Sequence, residues 1–189
     1  MRLKISLLVV FCSLLLLQGT KAHAVILKKP EDALKGVFRN AAIEVKNIIL
    51  RPEQVAEIEK ISGMRQNERL VSFYEAKRDN KIVGYAFIES HIVRTKPETL
   101  LYSLHPDGSI DRIEVLSFNE PMEYLPQDRW LGLFKDKSID RDPIRLRRDI
   151  SGITGATLTA KAITDGSRRV LAIWKVLFGG QDEILRKGK

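Results

Sequence analysis

LVSFYEAKRDNKIVGYAFIESHIVRTKPETLLYSLHPDGSIDRIEVLSF, residues 70–118, sets the fold class. Runs 70–77 and 82–92 alternate apolar and polar residues on either side of Asp79-Asn80, a pair suited to a hairpin turn. Runs 99–104 and 110–118 flank His105-Pro106-Asp107-Gly108, a second turn signal. In the last run Ile110, Ile113, Val115, Leu116 and Phe118 break strict alternation, which calls for a register shift or bulge. Two consecutive hairpins specify an antiparallel sheet of four or more strands. With helical periodicity on both flanks, the class is α+β, helices packed on the sheet.

Working toward the N-terminus, residues 31–39 place apolar side chains at helix spacing after Pro30. Residues 42–50 are rich in Ile and Val and read either as a strand or as an extension of that helix. Pro52 then opens a short amphipathic helix carrying Val55, Ile58 and Ile61 and ending near Gly63. The expected division is a helical segment over 25–65, a main domain over 66–180 and a tail over 181–189. Ahead of these, Arg2 and Lys4 precede a mostly apolar run from 5 to 17, and Ala22-His23-Ala24 is an A-x-A cleavage signal. The run is shorter than the ~20 residues a membrane-spanning helix needs. Residues 1–24 are therefore expected to be an export signal cleaved after Ala24, giving a periplasmic protein; a membrane location follows only if that segment is retained.

Removing residues 1–24 takes away Arg2, Lys4 and Lys21, so 32 Lys and Arg become 29 against 24 acids and the charge falls from +8 to +5. Export argues against nucleic acid as partner, and the cluster Arg145, Arg147, Arg148 reads as a solvated surface or a patch for an anionic ligand or partner. The single cysteine, Cys12, leaves with the signal, taking with it any disulfide, thiolate nucleophile or haem-attachment motif. His91 and His105 stand 14 residues apart without neighbouring ligands, a spacing that suits strand or surface residues better than a metal site. Any electron carrier in the expected mature chain is then organic.

Toward the C-terminus, Pro121 and Pro126 bracket a loop, and DRWLGLFK (128–135) sets Trp130, Leu131 and Phe134 on one helical face. Beyond it, DISGITGATLTAKAITDGSRRVLAIWKVLF (149–178) is a small-residue turn opening into a long amphipathic helix. Ile163, Val170, Trp174 and Leu177 form its apolar stripe, Arg168, Arg169 and Lys175 lie elsewhere, and Gly179-Gly180 is expected to end it. With Thr154 as N-cap, Thr157 would be the third helical residue, beside the N–H groups a helix N-terminus leaves unpaired. Gly155 and Ala156 keep that spot open, and the helix dipole favours an anion there. Lys161, four residues on, shares the face. A bare Thr-Gly-Ala-Thr is ordinarily just a helix cap and turn; export, the lack of other redox ligands and the long helix weigh the other way.

Thr154-Gly155-Ala156-Thr157, with Leu158-Thr159, resembles the flavinylation motif of the FMN-binding domain family. That family includes the C subunit of the sodium-translocating NADH:quinone oxidoreductase and the G subunit of the Rnf complex. The resemblance runs over about residues 80–178, through Val83-Gly84-Tyr85, Pro106 to Ile110, Glu120-Pro121 and Trp130 to Phe134, and is nearest to small stand-alone periplasmic members. It implies FMN esterified through its phosphate to Thr157, with Thr154, Gly155, Ala156, Leu158 and Thr159 lining the phosphate. It implies an exported Mg²⁺-using flavin transferase for maturation. Family motifs place an Asp where this chain has Ser151; the nearest acid is Asp149.

Planar aromatic surfaces beside a flavin exclude water and tune its potential. Trp130, Tyr124 and Phe134 are the candidates for that platform, with ordinary core packing favoured for Phe134. Glu120, in a Pro-containing loop, is placed either against the flavin or its ribityl chain or in solvent. The functional expectation is an electron carrier exchanging electrons with a membrane-bound or periplasmic redox partner. The rival expectation is a module that binds flavin non-covalently or has lost it, and a flavin-dependent reductase ranks last for want of a substrate-pocket signature.

Overall fold

The computed structural model describes residues 25–187, with side chains through residue 179. The expected leader, Cys12 included, lies outside the described residues. Strands β1 (Ala42–Ile49), β2 (Leu70–Arg78), β3 (Lys81–Ile92), β4 (Pro97–Leu104) and β5 (Ile110–Phe118) form one antiparallel sheet in chain order. Around it lie α1 (Pro30–Val37), α2 (Pro52–Ser62), the short α3 (Asp128–Leu131) and the long α4 (Thr157–Lys187). The α+β class with helices on an antiparallel sheet is what the hairpin pattern specifies.

The run left open at 42–50 is a strand, so residues 25–65, expected as a helical segment, supply a sheet edge as well as two helices. Ile43, Val45, Ile48 and Ile49 are β-branched and suit extended backbone. Full pairing with β2, from Ala42 opposite Lys77 to Ile49 opposite Leu70, fixes the choice. At the other edge, residues 25–28 run along β5: Leu27 donates to the Leu116 carbonyl at 2.9 Å and Phe118 donates to Val25 at 3.1 Å. That contact covers the edge of β5.

Asp79 and Asn80 both take positive φ, 51° and 60°, as the tight hairpin between β2 and β3 requires. The irregular β5 carries two register shifts against β4, where Leu116 and Asp111 are extra residues. The first shift explains the broken alternation. It turns Leu116 to one face of the sheet, while Ile110, Ile113 and Val115 serve the other.

Both faces are covered. On one, α2, the 128–134 segment and α4 pack over Phe73, Phe87, Leu100, Tyr102 and Leu104. On the other, α1 lays Ala33 and Leu34 on Ala76, Ala86, Leu101 and Leu116. This double cover is why the centres of β3 and β4 are continuously buried.

Helix α4 buries Ala160, Ile163, Val170, Leu171, Ile173 and Trp174 along its core face, each large apolar side chain worth about 1.5–3 kcal/mol. Buried Thr164 and Ser167 satisfy their hydroxyls on the Ala160 and Ile163 carbonyls, at 2.7 and 2.8 Å. On its other sides Arg168 donates to the Ser62 carbonyl, Arg169 pairs with Glu89 and Lys175 with Asp140. The helix does not stop at Gly179-Gly180 but continues to Lys187, through the expected tail. Gly179 lacks the positive φ that a glycine stop uses.

Candidate functional site

The turn before α4 is shaped by Gly155, whose φ of +78° breaks the helical path. Helix α4 consequently begins at Thr157, with Ala156 before it, rather than at a Thr154 cap. Ala156 N–H closes the turn on the Ile153 carbonyl at 3.1 Å, and the first helical bond runs from Ala160 to Ala156 at 3.0 Å. Thr157, Leu158 and Thr159 therefore have N–H groups ahead of that first bond. Thr157 is exposed, Thr159 buried, and an added Cβ on Gly155 would meet nothing within 4 Å. The helix thus opens on an exposed threonine and three N–H groups outside its first helical bond, next to a glycine with open space around it.

Two distant loops complete the surroundings. A cavity of about 200 Å³ is lined by Gly155, Ala156, Thr157, Leu158 and Thr159 from the turn, Glu120 and Tyr124 from the loop after β5, and Val93 and Arg94 from the β3–β4 turn. Gly155, Ala156, Thr157, Leu158, Thr159, Glu120 and Tyr124, all singled out from the sequence, thus share one cavity. Val93 and Arg94 escaped sequence reading because they sit in a polar turn with no motif around them.

Glu120 is almost fully buried, at 7% exposure, which removes the solvent alternative. Its Oε1 accepts the N–H groups of Thr95 (2.9 Å), Lys96 (3.0 Å) and Arg94 (3.2 Å). The Thr95 N–H above all, with those of Lys96 and Arg94 and the nearby Arg94 charge, outweighs burial and holds the carboxyl below its usual range. Glu120 thereby ties the β3–β4 turn to the loop after β5. The Arg94 guanidinium carbon lies 5.6 Å from the Tyr124 ring centroid, in cation–π range.

Trp130 and Thr154 do not line that cavity. They line a second cavity of about 570 Å³ with Ser151, Gly152, Ile153 and Leu133. Trp130 Nε1 donates to the Ser151 carbonyl at 2.8 Å, and its ring meets Phe134 edge-on at 5.3 Å. Phe134 is fully buried in the main core, the packing role favoured for it. A larger cavity of about 620 Å³ beside β5 contains none of the motif residues.

Asp149, the acid nearest the motif, is occupied by backbone. Its carboxylate accepts the Arg145 N–H at 2.7 Å and the Ile144 N–H at 3.0 Å, with Lys137 Nζ at 3.5 Å. Burial opposes its ionisation, but the Arg145 and Ile144 N–H groups prevail and lower its pKa. Lys161 is engaged with Asp165 rather than with Thr157. Arg145, Arg147 and Arg148 are exposed. His91 pairs with buried Glu98 at 2.6 Å across β3 and β4, and half-exposed His105 faces Asp136 at 3.7 Å. Among the described residues, no group of three metal-ligating side chains converges.

Comparison with known proteins bears on this turn. Residues 95–172 match the FMN-binding domain family. The chain is 28% identical over 116 residues to the G subunit of the proton-translocating ferredoxin:NAD(+) oxidoreductase complex of Clostridium ljungdahlii, covering 58% of this chain and 63% of that one. It is 26% identical over 140 residues to the G subunit of the Na(+)-translocating ferredoxin:NAD(+) oxidoreductase complex of Acetobacterium woodii, covering 64% and 65%. The matches thus span under two thirds of those relatives' own length.

Proposed function

Since residues 95–172 form a domain of the FMN-binding family, we propose that this chain is an exported electron-transfer flavoprotein with FMN esterified through its phosphate to Thr157. The observation that carries this reading is that exposed Thr157 lines one cavity with the helix-terminal residues Leu158 and Thr159 and with Arg94. The residues fit the group. The open cradle at Gly155 gives a phosphoryl group room to approach the backbone, and the N–H groups favour its negative charge.

Attachment forms a Thr157 Oγ1–phosphorus bond and releases the hydroxyl proton. The phosphoryl group comes from an activated flavin donor, a dinucleotide whose P–O–P bond breaks as the nucleoside monophosphate leaves. A flavin transferase supplies that step. At about 200 Å³ the Thr157 cavity is smaller than typical small-molecule pockets of ~300–1,000 Å³. It suits the phosphate-bearing end; the ring would lie beyond it, where half-buried Tyr124 would offer aromatic surface, whereas Trp130 is buried in the main core.

The bound flavin supplies one- and two-electron chemistry; the chain's own residues bind, orient and shield it. No general acid or base is required of them, in keeping with an electron carrier. The named relatives are subunits of ferredoxin:NAD(+) oxidoreductase complexes, which supports a membrane-bound or periplasmic redox partner for this chain. Export rests on the leader at residues 1–24.

A second reading, reversible FMN binding without an ester, is favoured by one feature. Ser151 stands in the motif's acidic position, and Asp149 is committed to the Ile144 and Arg145 N–H groups. Intact mass after denaturation separates the two in protein co-expressed with a flavin transferase. A gain of FMN less one water on the Thr157 peptide, abolished in Thr157→Val, supports the ester. Label retained in Thr157→Val refutes the site, and flavin lost on denaturation leaves the reversible reading.

A further inference from the structure

Arg94 is held in place from two directions. Its turn is hooked through the N–H groups of residues 94–96 to Glu120 Oε1, at 2.9–3.2 Å. Its guanidinium lies against the Tyr124 ring, 5.6 Å from the centroid. Backbone and side chain are both positioned, yet among the described residues the guanidinium makes no hydrogen bond or salt bridge. Arg94 is exposed, so its donors are open to solvent, and it lines the cavity that holds Thr157. An arginine propped on an aromatic ring with its fork unspent is a receptor for a planar or tetrahedral oxyanion.

We propose that Arg94 is the phosphate-recognising residue of this cavity, and that it makes the site select phosphorylated flavin over riboflavin. The inference rests on the reading of the cavity as the flavin site. The helix-terminal N–H groups of Thr157, Leu158 and Thr159 already favour an anion, but they carry only partial charge, and the larger part of the preference is assigned to a full positive charge. A guanidinium discriminates, because its formal charge is balanced only by the phosphate. After esterification the phosphodiester keeps one negative charge, and Arg94 continues to balance it. Glu120 acts here as a positioning residue: by taking three N–H groups it fixes the turn, and its charge interacts with Arg94 less than with those N–H groups.

The test uses the full chain carrying Thr157→Val, which cannot be esterified, titrated with FMN and with riboflavin by flavin fluorescence. FMN is expected to bind about ten- to hundredfold more tightly than riboflavin, the scale of one charge-assisted hydrogen bond. Adding Arg94→Gln is expected to reduce the ratio at least about fivefold, leaving only the preference that the helix terminus supplies, and Arg94→Lys keeps more of it. Equal affinity for the two flavins, or a ratio that Arg94→Gln does not move, overturns the proposal. If neither flavin binds the Thr157→Val chain, the modification rate of otherwise unaltered protein by a flavin transferase decides. Modification slowed by Arg94→Gln supports Arg94, and equal rates overturn it. An unaltered chain that gains no mass and binds no flavin overturns the flavin-site reading itself. Thermal melts of each variant confirm folding.

Discussion

Two glycines with nearly the same backbone angle should respond very differently to alanine. Gly108, in the β4–β5 turn, has φ +80° and carries the Trp174 ring, so that an added Cβ would lie 2.1 Å from Cζ3 and 2.2 Å from Cε3. Gly155 has φ +78° and open space around the same position. Left-handed backbone costs an L-residue about 1–2 kcal/mol at either site. At Gly108 the overlap with a buried indole adds an overpacking cost of about 1–3 kcal/mol. Gly108→Ala is therefore expected to lose about 2–5 kcal/mol, and Gly155→Ala about 1–2 kcal/mol. For a chain of this size each kcal/mol lowers Tm by roughly 2–4 °C. Urea unfolding followed by circular dichroism reads both, with an unchanged m-value required for the comparison. Equal losses in the two variants, or a loss below about 1 kcal/mol in Gly108→Ala, would refute the close-approach argument. Gly155→Ala carries a second readout. Its fold is expected to survive, but on the proposed reading the methyl would stand where the phosphoryl group approaches, so flavin attachment should slow. Attachment at the normal rate would show that the open cradle is irrelevant.

Glu120 has its pKa lowered below 4.5 by the N–H groups of Thr95, Lys96 and Arg94, so its contribution is full above the unfolded carboxylate pKa and disappears as pH falls through the lower folded value. Acid titration of amide exchange at residues 94–96 should show the turn opening in that range, and Glu120→Gln should remove this pH dependence. Trp130→Phe deletes the 2.8 Å bond to the Ser151 carbonyl while keeping most of the packing; because Ser151 is exposed and water can replace the donor, the expected loss is about 1 kcal/mol, and a loss above about 3 kcal/mol would point to a packing role instead. Ser151→Asp restores an acid at the family's position and should raise the initial rate of flavin transfer measured by intact mass; an unchanged rate would mean that this position does not limit modification.

Sequence pattern was strong wherever a feature is local. The hairpin at Asp79-Asn80, the helix opened by Pro52 and closed by Gly63, and the stripe through Ile163, Val170 and Trp174 all follow from neighbouring residues and appear as read. Strand β1 was ambiguous because it is an edge strand whose burial is shallow, so its apolar residues alternate weakly and only its pairing with β2 decides. The continuous burial of β3 and β4 needs α1 on the far face, a long-range fact. In the site, the turn residues were legible because they are contiguous. Arg94 was not, because its role depends on a contact with Glu120 across 26 positions and on the Tyr124 ring.

The separation of the two aromatic candidates gives the turn a mechanical logic. Trp130 grips the Ser151 carbonyl, and Asp149 grips the Ile144 and Arg145 N–H groups just upstream. The Glu120-bound turn presents Arg94. The backbone leading to Thr157 is held by these contacts, so the proposed attachment of flavin there would not bear the ordering cost of a loose loop. The same rigidity sets a limit on Asp149: it can serve as the motif acid only by releasing two N–H groups from a partly buried loop. Rescue of a slow transferase reaction by Ser151→Asp, by the same factor whether residue 149 is Asp or Asn, is the combination expected if Asp149 holds the loop and does not serve as the motif acid.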